Sequence, residues 1–125
     1  ERLNGIEYDT FAVTTIAADP ICGALLALSA ARGAEKTGLL IRKEAKDHGT
    51  KNLVEGSCAS GTRAVLLEDV ATTGGSLLRS ARAIEEAGGV IALVVTLVDR
   101  EEGASEALAA AGYRFDSLFK VRELL

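Results

Sequence analysis

An α/β fold built on a parallel sheet is what this sequence predicts, on three observations. Short runs of β-branched and aliphatic residues alternate with Ala- and Leu-rich stretches of helical length. Two of those runs, residues 64–67 (AVLL) and 90–98 (VIALVVTLV), are continuously apolar, as strands covered on both faces must be. Glycines punctuate the ends of the helical stretches, at Gly33, at the Gly88, Gly89 pair and at Gly112. The 125 residues show no linker and no internal repeat, so residues 1–125 read as a single domain.

The elements follow in order. Residues 11–17 (FAVTTIA) read as the first strand, which Asp19 and Pro20 end. Asp19 is the expected N-cap and Pro20 the first helical position, where a missing N–H costs nothing. An Ala/Leu helix then runs to residue 31, and residues 37–41 (TGLLI) form a second strand. Residues 42–61 are different in kind: polar, charged, interrupted by Gly49, Gly56 and Gly61, with a brief apolar patch at Leu53 and Val54. A connection of that length inside a compact domain is usually functional or disordered. The buried run at 64–67 leads through a Gly-rich turn into a helix over 76–87, with Leu77, Leu78, Ala81 and Ile84 on one face. The strand over 90–98, a helix over 101–111 and a last strand over 113–121 complete the chain, joined by right-handed crossovers.

Composition excludes several functions. The apolar fraction of 48% is ordinary for a globular domain, and 18 acidic against 14 basic residues give a net charge of −4. An acidic chain argues against a nucleic-acid-coating role. No apolar run approaches the roughly 20 residues of a bilayer span, and no signal peptide is read, so no membrane partner is expected. Cys22 and Cys58 stand in no metal-ligand spacing and read as small, reduced packing residues of a cytoplasmic protein. Tyr8 and Tyr113 read as edges of the core. The chain opens at Glu1 without an initiator Met, which leaves room for an upstream segment.

Three segments carry chemistry, all at carboxyl ends of strands, where doubly wound sheets bind ligands. The sharpest is Glu68, Asp69, Val70, Ala71, Thr72, Thr73, Gly74, Gly75, Ser76, between a buried strand and a helix. Two adjacent carboxylates are costly to desolvate without a cation or hydroxyl partner. The turn after them offers backbone N–H groups, hydroxyls and a helix N-terminus, which together cradle an anion. Acidic pair plus cradle suggests a sugar phosphate whose ribose hydroxyls meet the carboxylates. Each piece alone would suit an ordinary βα turn; the nine-residue string is far more specific. It is not a Walker P-loop, because no Gly-Lys-Ser/Thr follows the turn.

The second segment is residues 41–51 (IRKEAKDHGTK), which set Arg42, Lys43, Lys46 and Lys51 against Glu44 and Asp47, with the single histidine, His48, embedded. A cationic, Gly-flanked loop suits a leaving diphosphate whose charge grows as it departs. A solvated surface loop is the plain alternative. The third is Asp99, Arg100, Glu101, Glu102, Gly103, whose arginine offers a planar two-pronged donor for a carboxylate.

The first string resembles the phosphoribosyl pyrophosphate (PRPP) signature of type I phosphoribosyltransferases, a Rossmann-like parallel-sheet core. The second is similar to the R-K-E-x-K-x-H-G loop of the orotate phosphoribosyltransferase family, and the third to its D-R-x-E-G motif. The resemblance runs from about Asp9 to Leu125. It implies that Glu68 and Asp69 bind the ribose hydroxyls, that Thr72, Thr73, Gly74, Gly75 and Ser76 hold the 5′-phosphate, and that Val70 and Ala71 also belong to the PRPP-binding string. It implies that Arg42, Lys43, Lys46 and His48 contact the diphosphate, that Lys46 and Asp69 are catalytic, and that Thr72 and Arg100 meet orotate.

It further implies Mg²⁺ bridging diphosphate and ribose, with no direct side-chain ligand. A homodimer is implied too, in which the 42–51 loop serves the neighbouring subunit's site. Two features depart from the family. The stretch matching its glycine-rich diphosphate turn, residues 12–20 (AVTTIAADP), has no glycine, so a positive φ would crowd Ala12 and Ala17. Nothing matches the family's N-terminal hood. The reaction implied is transfer of phosphoribosyl from PRPP to orotate, giving orotidine 5′-phosphate and diphosphate for pyrimidine synthesis. The alternatives are a non-catalytic PRPP-binding regulatory domain, which would not need the 42–51 loop, and a transferase for a different base, which would not need Arg100.

Overall fold

A computed structural model of the chain describes residues 2–14, 16–43 and 53–125. The described elements, in order, are β1 (Thr10–Thr14), α1 (Asp19–Ala31), β2 (Thr37–Ile41), β3 (Val54–Glu55), β4 (Arg63–Ala71), α2 (Gly75–Glu86), β5 (Val90–Asp99), α3 (Ala104–Ala110) and β6 (Phe115–Lys120). They build one six-stranded sheet in the order β3-β2-β1-β4-β5-β6. Every neighbouring pair is parallel except β2 with β3. The α/β parallel-sheet expectation is therefore met.

The two faces bury different sets, because side chains alternate along each strand. Phe11, Val13, Val65, Leu67, Leu93 and Val95 pack on the α1 side, with Cys22 and the half-buried Ile21, Leu25 and Tyr8. Ala12, Leu39, Ile41, Leu66 and Val94 face the other side, against Leu77, Ala81 and Ile84 of α2 and Leu108 of α3, with Cys58 and Tyr113 at its margin. The stripe read from the sequence of α2 is the buried one, apart from the half-buried Leu78.

Element ends differ from expectation in ways that matter for the site. β1 stops at Thr14, whose pairing with Ile41 is its last, and residues 16–18 already turn toward α1. Asp19 is not the N-cap. It is the first helical residue; its N–H reaches the Ile16 carbonyl at 3.1 Å, and the Ala18 carbonyl accepts the Cys22 N–H at 3.1 Å. Ala18 thus holds the cap position without a capping side chain.

β4 runs through Ala71 instead of ending at 67, because β5 keeps pairing with it as far as Ala71 opposite Asp99. The helix expected over 101–111 begins only at Ala104. Asp99 Oδ1 accepts the Glu101 N–H at 2.8 Å, and the chain turns through Glu101 at φ 59° and Gly103 at φ 113° before it coils. β6 is shorter than 113–121: the Tyr113 N–H closes α3 on the Leu108 carbonyl, and Val121–Glu123 is a 3₁₀ turn. β3, an antiparallel pair of residues beside β2, lies where only the Leu53, Val54 patch hinted at order.

Candidate active site

From β1 the chain winds outward to β2, and from β4 outward to β5 and β6. Adjacent β1 and β4 therefore flank the topological switch point, where open α/β sheets hold their ligands. β4 pairs with β1 only as far as Leu67 opposite Val13, yet continues for four residues. Glu68, Asp69, Val70 and Ala71 thus have β5 on one side and the mouth of the crevice on the other.

Glu68 and Asp69 are half-buried. The Ser76 hydroxyl donates to Glu68 Oε1 at 3.3 Å, linking the acidic pair to the first turn of α2. Burial pushes the Glu68 carboxyl above the usual carboxylate range, and the Asp69 charge adds to it; the Ser76 hydrogen bond and the Lys43 ammonium act the other way. Asp69 is braced twice. Its Oδ1 accepts the Val70 N–H at 2.8 Å, and its carbonyl accepts the hydroxyl of the fully buried Thr96 at 3.0 Å.

Next comes the anion cradle. Thr72 and Thr73 are exposed, and Gly74 sits at the cap of α2 with φ 91° and no side chain capping the helix. The first N–H groups of α2 are therefore free for an anion. A Cβ on Gly74 would meet Ala104 Cα at 3.1 Å, whereas one on Gly75 would find nothing nearer than Thr73 Oγ1 at 3.8 Å. The loop is laced to its neighbour: the Arg100 N–H donates to the Ala71 carbonyl at 2.9 Å and the Ala104 N–H to the Thr72 carbonyl at 3.1 Å. The first and third motifs are thus joined by backbone hydrogen bonds. The Arg100 guanidinium is exposed and pairs with Glu102, Nε to Oε2 at 3.0 Å.

At the end of β2, the half-buried Arg42 pairs with Glu55 of β3. Its N–H donates to the Leu53 carbonyl at 2.7 Å, and its own carbonyl accepts from Arg79 of α2 at 3.4 Å. Lys43 is exposed and its charge is felt at Glu68. Lys46 and His48 lie outside the described residues.

The positive φ that would crowd Ala12 and Ala17 of the glycine-free stretch is adopted by neither residue. Ala12 is buried inside β1, and Glu101 is the one described non-glycine residue with positive φ, so Ile16, Ala17 and Ala18 carry no such strain. Beneath that turn, the Thr14 and Ser80 hydroxyl oxygens lie 2.6 Å apart.

Sequence reading singled out neither Thr14, Ser80 nor Thr96, although a hydroxyl inside a buried apolar run such as VVTLV is a visible signal. Glu55 carried no signal at all, because its pairing with Arg42 depends on β3 folding back. Among the described residues no group of three or more His, Cys, Asp or Glu side chains is gathered as metal ligands, and no helix is long and apolar enough to cross a membrane.

No protein-family model matches the chain. It is 44% identical over 129 residues to orotate phosphoribosyltransferase of Rhodopseudomonas palustris (strain BisB18), covering 100% of the chain and 69% of that protein. Among solved structures it is similar to Mycobacterium tuberculosis H37Rv orotate phosphoribosyltransferase in complex with Fe(III) dicitrate, with TM-score 0.84, 36% identity, and 98% of this chain and 69% of that one covered. The complex of the same mycobacterial enzyme with PRPP matches at TM-score 0.83 and 33% identity, with the same coverage.

Proposed function

This chain belongs to the orotate phosphoribosyltransferase family, and from that premise we propose how its residues divide the work. The reaction moves phosphoribosyl from PRPP to orotate. A bond forms between a ring nitrogen of orotate and C1 of the ribose, the C1–oxygen bond to diphosphate breaks, and the proton of that ring nitrogen passes to solvent or to the departing diphosphate. The enzyme positions the two partners and meets the developing charges; no covalent enzyme intermediate is invoked.

Glu68 and Asp69 hold the ribose diol, and Asp69 is the better placed acceptor because its backbone is braced by Thr96. Thr72, Thr73, Gly74, Gly75 and Ser76 take the 5′-phosphate on the uncapped N-terminus of α2, with Val70 and Ala71 leading into the loop. Arg42, Lys43, Lys46 and His48 meet the diphosphate, Arg42 after leaving Glu55. Arg100 exchanges Glu102 for the orotate carboxylate, with Thr72 beside it. The observation that supports this reading is the lacing of residues 71–72 to residues 100 and 104, which holds the two turns side by side at one sheet edge.

The donors here are carboxylate and hydroxyl oxygens, which suit Mg²⁺, a cation that keeps much of its water and binds mainly through its substrate's phosphates. Glu68, Asp69 and Ser76 would face it through water and the ribose hydroxyls; when bound it neutralises diphosphate charge. We place the protein in the cytoplasm as a homodimer in which residues 42–51 serve the neighbouring site. The test is diphosphate release from PRPP and Mg²⁺ with orotate, uracil, adenine and hypoxanthine offered separately. Turnover with orotate alone is expected, and Arg100→Leu should abolish the preference for it. Turnover with adenine or hypoxanthine instead would assign the site to a purine, and none with any base would favour a PRPP-binding regulatory domain.

A further inference from the structure

We propose that the buried hydroxyl pair of Thr14 and Ser80 is a positioning device that fixes the spacing between the two anion-binding turns. The inference rests on the PRPP reading given above, extended so that the stretch matching the family's diphosphate turn, residues 12–20, also meets the diphosphate, and it adds residues to that reading. Thr14 is the last residue of β1 and is 4% exposed; Ser80, in the second turn of α2, is 0% exposed. Their oxygens are 2.6 Å apart across 66 residues of sequence.

The layer in which they meet is apolar, formed by Ala12, Ile41, Leu66, Leu77, Ala81 and Ile84. Stability alone does not call for a polar pair there, since replacing both hydroxyls by apolar groups of the same shape is close to neutral. What a hydrogen bond adds is a set length and direction. Apolar contacts let a strand slide against a helix.

The two elements so joined are the roots of the two turns. The turn at 16–18 lies just beyond Thr14. The cradle at 72–76 is carried on α2, five residues ahead of Ser80 at its start. Little else described ties those roots together. β1 and β4 part at Leu67, and the 72–74 turn is laced to the β5–α3 turn, not to the one after β1. PRPP carries anions at both ends of its ribose, a 5′-phosphate and a diphosphate at C1. Only a ligand that engages both turns feels the distance between them. Thr14 and Ser80 touch neither anion and act through the backbone.

Two further ligands separate positioning from general stability. Orotidine 5′-phosphate engages the cradle without a diphosphate, and inorganic diphosphate engages the other turn without a ribose. Dissociation constants for these two and for PRPP, with Mg²⁺, are measured by calorimetric titration on wild type, Thr14→Val, Ser80→Ala, the double variant and Thr14→Ser. Thr14→Val keeps the side-chain shape, and Ser80 can turn its hydroxyl to a helix carbonyl, so both variants fold. PRPP is expected to bind about five- to twentyfold more weakly in each single variant, and no weaker in the double. The two short ligands should stay within about twofold, and Thr14→Ser should restore PRPP binding. Loss of all three affinities in parallel, an unchanged PRPP constant, or additive effects in the double variant overturns the proposal. Wild type that binds none of the three removes the PRPP reading itself.

Discussion

The two glycines of the 72–76 loop do different jobs, and replacing each by alanine separates them. Gly74 has φ 91°, a conformation that costs a residue with a Cβ about 1–2 kcal/mol. The new methyl would also sit 3.1 Å from Ala104 Cα and 3.5 Å from its Cβ. That neighbour is helix backbone, held by its N–H to the Thr72 carbonyl, so it yields only by breaking the lacing between the loops. Overpacking of this kind adds roughly 1 kcal/mol or more, for a total of ~2–3 kcal/mol. In a domain of this size that lowers Tm by about 6–12 °C. Gly75 has no such φ, and its nearest neighbour would be Thr73 Oγ1 at 3.8 Å, an ordinary contact. Gly75→Ala should be neutral or gain up to ~1 kcal/mol, because alanine loses less chain freedom on folding. Thermal unfolding followed by circular dichroism at one pH compares the pair. Equal Tm values for the two variants, or a larger loss for Gly75→Ala, would refute the reasoning.

Further outcomes concern Glu68, Lys46 and Asp69. Because burial raises the Glu68 pKa in the folded chain above its unfolded value, the stability linked to this group is full below the ordinary Glu value of about 4.3 and is lost as pH rises through the raised value. Glu68→Gln should therefore have a higher Tm than wild type at pH 7 while binding PRPP more weakly, and the Tm difference should shrink on acidification; a difference that grows toward low pH would rule out burial as the cause. Lys46→Ala should lose roughly 10²–10³ in turnover, and Asp69→Asn about 1–3 kcal/mol in PRPP binding. If Lys46 serves the partner's site, mixing the two variants restores up to half the wild-type rate per dimer, whereas confirmed subunit exchange without recovery removes the shared-site arrangement.

The sheet was legible because its central strands are buried on both faces: AVLL and VIALVVTLV admit few other readings. Their ends were not, since an end is set by a partner. Glu68 and Asp69 read as loop because charges seldom sit in a central strand, yet β5 keeps them extended to Ala71. Glu101 and Glu102 read as a helix start, a common place for acidic residues, but the Asp99 carboxylate captures the Glu101 N–H first and delays the helix to Ala104. The site motifs were recognisable as contiguous strings. What joins them is tertiary: backbone bonds from Arg100 and Ala104, the Thr96 brace beneath Asp69, and the Glu55 that occupies Arg42.

The lacing of residues 71–72 to residues 100 and 104 bears on how this protein can change over evolutionary time. Surface loops ordinarily gain and lose residues freely. Here an insertion between Ala71 and Thr72 would shift one carbonyl of the pair against its donor, and a deletion between Arg100 and Ala104 would do the same from the other side. Neither loop can alter its length alone. A lineage that changes the length of the 100–104 turn must adjust the 71–72 segment in the same step, so change in these two turns is expected to come by substitution within fixed lengths, not by indels.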